Sequence, residues 1–236
     1  MTWADYWDAG TTVYVSDRHK QVHYEGVARD VRGHVPAPDA RVVDYGCGEA
    51  LSAHLVADAC RHLYLCDSSG TTRQRLADRY AGRANISVIS PLEFEGLREA
   101  SIDLIVANSV VQYLSPAEFE RLLSVSRAKL GPAGRLVLAD LIPRQVGALT
   151  DAAQLLRFAW ANGFLFAAAA GLVRSFFSNY RRVRAQYGLL RFDEEEILQT
   201  LRRCGFSARR HHPNIGHNKR RMTFVATPSS SQAPAS

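Results

Sequence analysis

Two acids and two glycines carry the most legible chemistry in this sequence. They lie in Val42-Val43-Asp44-Tyr45-Gly46-Cys47-Gly48-Glu49-Ala50, and the second acid, Asp67, follows Gly46 by 21 residues. Gly46 and Gly48 remove side chains where backbone must approach a ligand. A pyrophosphate loop would want G-x-G-x-x-G, but Leu51 stands three places after Gly48. An acid at Asp44 would also repel phosphate. The pattern instead suits a cationic, phosphate-free ligand with an amino-acid end. Asp67 closes the next apolar stretch, where a carboxylate can accept both hydroxyls of a ribose.

The other candidates are bases. His19 and His23 stand four apart and share one helix face. H-x-x-x-H could supply two metal ligands, but no third is apparent. The cysteines Cys47, Cys60, Cys66 and Cys204 lack C-x-x-C spacing, so neither a metal nor a disulfide framework is expected. Gln112 and Tyr113 follow an apolar run, while His211, His212, His217 and Asn218 flank a loop near the C-terminus. From these, His19, Tyr113 and His217 are the candidate catalytic side chains.

The elements that must position them alternate. Strands are expected at 41–45, 62–66, 86–89, 102–107 and 135–141. Helices are expected after Ser16, over 50–59 and 71–81, and from Pro116 to Leu130. Five alternations in a row imply a parallel sheet covered on both faces. The rhythm stops over 143–192, which reads as helical throughout. It resumes with a helix over 193–203 and strands at 206–214 and 222–227. The predicted organisation is a helical leader (1–37), a cofactor-binding α/β core (38–142), a helical cap insertion (143–192), the rest of the core (193–227) and a disordered tail (228–236).

Composition bounds the rest. At 236 residues, 47% apolar and 22% charged, the chain can bury one substantial core. No apolar run is long enough to span a bilayer and no secretory signal is apparent, so a cytoplasmic protein is expected. The net charge of +6 is uneven: residues 1–142 hold 15 basic and 18 acidic residues, and residues 143–236 hold 14 and 5. Phe158–Val173 is an uncharged run between Arg157 and Arg174, with Arg181, Arg182, Arg184 and Arg191 following. A buried helix pair, a substrate lid lined by Phe158, Trp160, Phe164 and Phe166, and a peripheral membrane contact all fit this run. Oligomeric state is left open.

At this point the sequence resembles the class I S-adenosylmethionine-dependent methyltransferases, and most closely their small-molecule, quinone-methyltransferase-like branch. VVDYGCGEA resembles the family's first motif, and LYLCDSS its second-strand acid. SIDLIVANSVVQYL, LGPAGRLVLADL and LRRCGF resemble the fourth-strand, fifth-strand and pre-sixth-strand segments. The resemblance implies a doubly wound, mostly parallel seven-stranded Rossmann-like sheet with S-adenosyl-L-methionine as cofactor. It implies cofactor contacts from Asp44, Gly46, Cys47, Gly48, Asp67, Ser68, Leu92 and Asn108. Two departures stand out: Ala50 replaces a common third glycine, and Ser90-Pro91-Leu92 stands where an adenine-binding acid is frequent, with Glu93 or the backbone near Leu92 as substitutes. The expected activity is methyl transfer to a small, partly apolar molecule, with an anionic group among its candidate features. The fourth strand runs into Asn108-Ser109-Val110 rather than N-P-P-Y, which argues against nucleic-acid substrates. RNA methylation through the basic half, and cofactor binding without catalysis, are the rival readings.

Overall fold

A computed structural model describes residues 14–175 and 189–229. Its centre is a seven-stranded sheet of β1 (Arg41–Tyr45), β2 (His62–Cys66), β3 (Ile86–Ile89), β4 (Ile102–Asn108), β5 (Leu130–Leu141), β6 (Phe206–His211) and β7 (Met222–Pro228). The order is β3-β2-β1-β4-β5-β7-β6, and only β7 runs against the others. Leu104, Ile105, Val106 and Ala107 are wholly buried because helices cover both faces of β4, as an uninterrupted apolar strand requires.

The helices are α1 (Asp17–Arg32), α2 (His54–Ala57), α3 (Gly70–Tyr80), α4 (Pro91–Gly96), α5 (Pro116–Lys129), α6 (Ala148–Asn162), α7 (Leu165–Ser175) and α8 (Glu194–Arg203). Ser16 caps α1 by accepting a hydrogen bond from the His19 amide. Ser115 and Glu118 form a capping box that opens α5. Ser90 and Glu93 form the same box at α4, a helix absent from the sequence reading. Conversely, the helix expected over 50–59 shrinks to α2. Ala50 adopts φ +38° there, so the chain leaves the glycine loop through turns before it can wind.

The 143–192 excursion leaves and returns at one point. The Arg144 amide donates to Phe192 O at 3.1 Å, and the Phe192 amide donates to Ile142 O at 2.9 Å. In between, Gly163 takes a left-handed conformation (φ +76°) and turns α6 into α7. Ala159, Phe164 and Ala168 form a small core of their own between these helices. Residues 1–13, 176–188 and 230–236 lie outside the described residues, and with them most of the expected leader segment before α1 and most of the expected tail. Pro228, placed in that tail by the sequence, closes β7 instead. No helix among the described residues is long and apolar enough to cross a membrane.

Candidate active site

The carboxyl ends of β1, β2, β4 and β5 open on one cavity of about 1220 Å³. It lies at the switch point where the chain turns to β2 on one side of β1 and to β4 on the other, which is where open α/β sheets bind ligands.

Its inner end is the glycine loop. Gly46 (φ +71°) and Gly48 (φ +57°) hold backbone conformations that L side chains rarely take. A Cβ on Gly46 would stand 2.5 Å from Val110 Cγ2, and one on Gly48 would stand 3.0 Å from the Tyr24 hydroxyl. Gly46→Ala should therefore cost about 2–5 kcal/mol of stability from strain and overpacking. Urea denaturation checks this; Val110→Ala added to the variant should return only part of the steric cost, because Val110 Cβ stays 2.8 Å from the new Cβ, and none of the strain.

Asp67 clamps the loop to the end of β2. Its Oδ2 accepts from the Gly48 amide at 3.0 Å and its Oδ1 from the Ser69 amide at 2.9 Å. Asp44 lies beside it in the cavity wall, and burial, with the Asp67 charge second, pushes its carboxyl up to about 7. Burial likewise pushes the Cys47 thiol up, so it stays protonated and is no nucleophile. Asn108 Oδ1 and Gln112 Oε1 are buried with no hydrogen-bond partner, and both residues line the cavity. Leaving such an acceptor unpaired costs about 1–3 kcal/mol, so each marks a place for a ligand N–H or O–H.

Leu92 is not part of this wall. It is 76% exposed, because the capping box turns it outward on the first turn of α4. Glu93 is committed to Ser90. Pro91, Phe94 and Glu95 face the cavity from this helix instead, and Arg121 holds Glu95 bidentately at 2.7 and 2.8 Å.

The outer end is aromatic. Tyr14, His19, His23 and Tyr24 come from α1 and its approach, Tyr113 from the turn after β4, and His217 from the β6–β7 loop. The three imidazoles lie 5.9–6.4 Å apart, centre to centre. His19 Nδ1 accepts from the Val15 amide at 3.3 Å. Burial, and then the neighbouring His217 charge, lowers His19 to about 4 and His23 to about 3. His217 is lowered by burial; the Asp140 and Asp151 charges raise it, and the Arg221 and Lys219 charges oppose them. All three are neutral at pH 7. Among the described residues no cluster of His, Cys, Asp or Glu has a metal-holding arrangement. His211 packs on His34 at 4.8 Å, and neither His211 nor His212 lines the cavity.

The cap reaches this end only through its inner face. Phe158 stacks on His217 at 4.5 Å and Phe164 on His19 at 5.0 Å. None of the four aromatics lines the cavity, which corrects the expectation of a pocket lined by all of them: Phe158 and Phe164 pack behind the histidines, and Trp160 and Phe166 point away, 77% and 92% exposed. Residues two apart on a helix lie on nearly opposite faces.

A clasp joins cap, floor and loop. Arg221 bonds Asp140 and Asp151, each at 3.1 Å, and Asn218 donates to Asp151 at 2.8 Å. Asp140 also accepts from Ser109 Oγ at 2.7 Å. Ser109 (φ +58°) and Asp140 (φ +61°) both hold left-handed backbone at strand ends, a strain that clusters at functional sites. Sequence reasoning missed Arg221, Asp140, Asp151 and Ser109; no motif marks them, since they meet only across the sheet.

Residues 43–138 match the family model described as a methyltransferase domain. The chain carries a class I methyltransferase domain. It is an enzyme that transfers methyl groups. Structures similar to this methyltransferase extend across nearly the whole chain. A putative methyltransferase of Haloferax volcanii, solved in complex with the Trm112 methyltransferase activator, has a TM-score of 0.62 at 13% identity, covering 98% of this chain and 99% of that one. A putative S-adenosyl-L-methionine-dependent methyltransferase of Methanococcus maripaludis has 0.60 at 13% identity, covering 98% and 94%. The mitomycin 7-O-methyltransferase MmcR has 0.59 at 16% identity, covering 89% of this chain and 54% of that one. Identities this low speak for the fold alone. No curated protein matches the methyltransferase in sequence.

Proposed function

We propose that this methyltransferase alkylates a small, partly apolar molecule held in the outer half of its cavity. The observation that carries the reading is one continuous cavity with two chemically different ends. At about 1220 Å³ it exceeds the 300–1,000 Å³ usual for one drug-sized ligand. That leaves room for a cofactor on the glycine loop and an acceptor among the aromatics.

The inner residues fit S-adenosylmethionine. Asp67 places a carboxylate at the end of β2 whose chemistry suits the ribose hydroxyls, and Gly46 and Gly48, on either side of Cys47, offer backbone without side-chain obstruction. Asp44 offers a carboxylate for the amino-acid end, Asn108 and Gln112 have unpaired acceptors, and Ser68 completes the rim. When bound, the cofactor supplies an electrophilic methyl on a sulfonium. The protein's work is to hold the acceptor in line and exclude water.

At the outer end Tyr113, His19 and His217 orient the acceptor. His217 is the best proton acceptor of the three, because Asp140 and Asp151 would stabilise its cation. Of the arginines in the cavity wall, Arg221 is held by two carboxylates and Arg121 by Glu95, while Arg75 forms no ion pair among the described residues and stays available to an anionic group. Incubating cell extracts with the enzyme and isotope-labelled cofactor, followed by mass spectrometry, tests the reading. Label in a small lipophilic product supports it, and label confined to RNA or protein overturns it.

Cofactor binding should depend on pH through Asp44. A cation beside Asp44 favours its ionised form, so affinity rises with pH up to about 7 and falls by at most tenfold per unit below. The sign is opposite for folding. The raised carboxyl holds its proton longer in the folded state, so its stabilising contribution is lost as pH rises towards 7. Calorimetry across pH 5.5–8.5 reads the first effect, and Asp44→Asn should flatten the profile.

A further inference from the structure

The inner face of the α6–α7 hairpin packs against the cavity's histidines, while its outer face lies open. On α6 the exposed residues are Ala153, Arg157, Trp160 and Ala161, which share one helix face. On α7 they are Phe166, Ala169 and Ala170. Trp160 (77%) and Phe166 (92%) stand on either side of the Gly163 corner. The described residues expose only one other large apolar side chain, Leu92, so these two are a local concentration rather than surface scatter. The hairpin is thus apolar on both faces, a pattern that a water-facing helix pair does not need.

The chemistry around the corner selects an occupant. Among the described side chains Arg157 is the one charged residue on this open face, one turn before Trp160. In the sequence the uncharged run 158–173 is bracketed by Arg157 and Arg174, and the basic excess of the chain lies in this half. Tryptophan beside arginine on an apolar helix suits the headgroup boundary of a bilayer, and net positive charge suits anionic lipid. Helices of 15 and 11 residues fall short of the ~20 needed to span. They can lie on a bilayer but not cross it.

We propose that the α6–α7 corner is a docking face for an anionic lipid bilayer. Trp160 and Phe166 enter the interface, and Arg157 stays with the lipid phosphates. The proposal stands apart from the identity of the methyl acceptor.

Vesicle flotation of the full chain tests it, with phosphatidylcholine vesicles and with mixed phosphatidylcholine–phosphatidylglycerol vesicles. The wild type should float with the mixed vesicles, more weakly with phosphatidylcholine alone, and less as salt is raised. Trp160→Ser with Phe166→Ser should lower the partition coefficient at least about tenfold. Both side chains are exposed, so S-adenosylmethionine affinity should not change and reports that the variant is folded. In a Trp3→Phe/Trp7→Phe background, Trp160 emission should shift to the blue only with the mixed vesicles. Failure of the wild type to float, or equal flotation by the double variant, overturns the proposal. So does a wild-type dimer in sedimentation that the double variant converts to monomer, since the face would then bind a second copy of the chain.

Discussion

Asp67→Ala should weaken S-adenosylmethionine binding by about 10- to 100-fold. A hydrogen bond to an ionised group contributes about 1.5–3 kcal/mol, and each 1.4 kcal/mol is tenfold in affinity. The carboxylate has two tasks that the variant loses together. On the proposed reading it accepts from the ribose hydroxyls, and it holds the Gly48 and Ser69 amides in place. Asp67→Asn separates them. The amide can keep one backbone acceptor but has no charge to strengthen a ribose contact, so it should fall between the wild type and alanine. Removing Asp67 also removes the second cause of the raised Asp44 carboxyl, so the pH profile should move to lower pH as the affinity falls. Calorimetry gives both quantities. Unchanged affinity in a folded Asp67→Ala protein would sink the assignment of the ribose site. Binding of a dinucleotide in its place would sink the glycine-loop reading more broadly.

The parts of this enzyme that were legible in its sequence are those set by neighbours along the chain. The turn Asp44-Tyr45-Gly46-Cys47-Gly48 could be placed because left-handed backbone selects glycine. Asp67 could be placed because it ends an apolar run at a fixed distance. The same local grammar was present but unread at Ser90-Pro91-Leu92-Glu93. It repeats Ser115-Pro116-Ala117-Glu118, which announces α5, and it opens α4 in the same way. The capping box occupies the stretch where an adenine-binding acid is frequent, and it commits Glu93 to Ser90 and turns the Leu92 side chain outward.

What stayed illegible is set by contacts between distant residues. Asp140 and Arg221 are 81 residues apart, and Asp151 and Arg221 are 70 apart. An arginine in an arginine-rich chain carries no mark of being the one that is buried between two acids. Ser109 and Asp140 hold left-handed backbone without being glycine, so composition gives no sign of the strain. The faces of α6 were lost for a different reason. A run apolar on all sides has no periodicity from which to tell Phe158, which meets His217, from Trp160, which meets solvent.

Replacing residues 147–188 with a short Gly/Ser linker should abolish methyl transfer to the native acceptor and leave cofactor affinity within about threefold, a change of less than 1 kcal/mol. The geometry allows the experiment, because backbone hydrogen bonds join Ile142 and Arg144 to Phe192 at the base of the excursion. The proposed cofactor residues Asp44, Gly46, Gly48 and Asp67 lie on β1, β2 and the loops that follow them, and the deletion touches none of these. The acceptor end loses three supports. Phe158 no longer stacks on His217, Phe164 no longer stacks on His19, and Asp151 no longer pairs with Arg221. Asp140 remains to neutralise Arg221, so the cut does not strand a buried charge. The histidines then gain water, and their depressed basicity should relax upward toward 6.5 as the burial that lowers them is removed. That gives the variant a signature apart from lost activity: the His19 proton resonances should titrate near pH 4 in the wild type and move up in the deletion, with those of His217 moving in the same direction. Loss of cofactor affinity in a folded deletion would move the excursion into the cofactor site. Transfer at the normal rate would show that it closes nothing. The smaller variant Asp151→Asn should lie between, with the clasp weakened and the aromatic stack intact. It should raise KM for the acceptor more than it lowers kcat, because it loosens the wall that holds the acceptor without removing a group from the cavity floor.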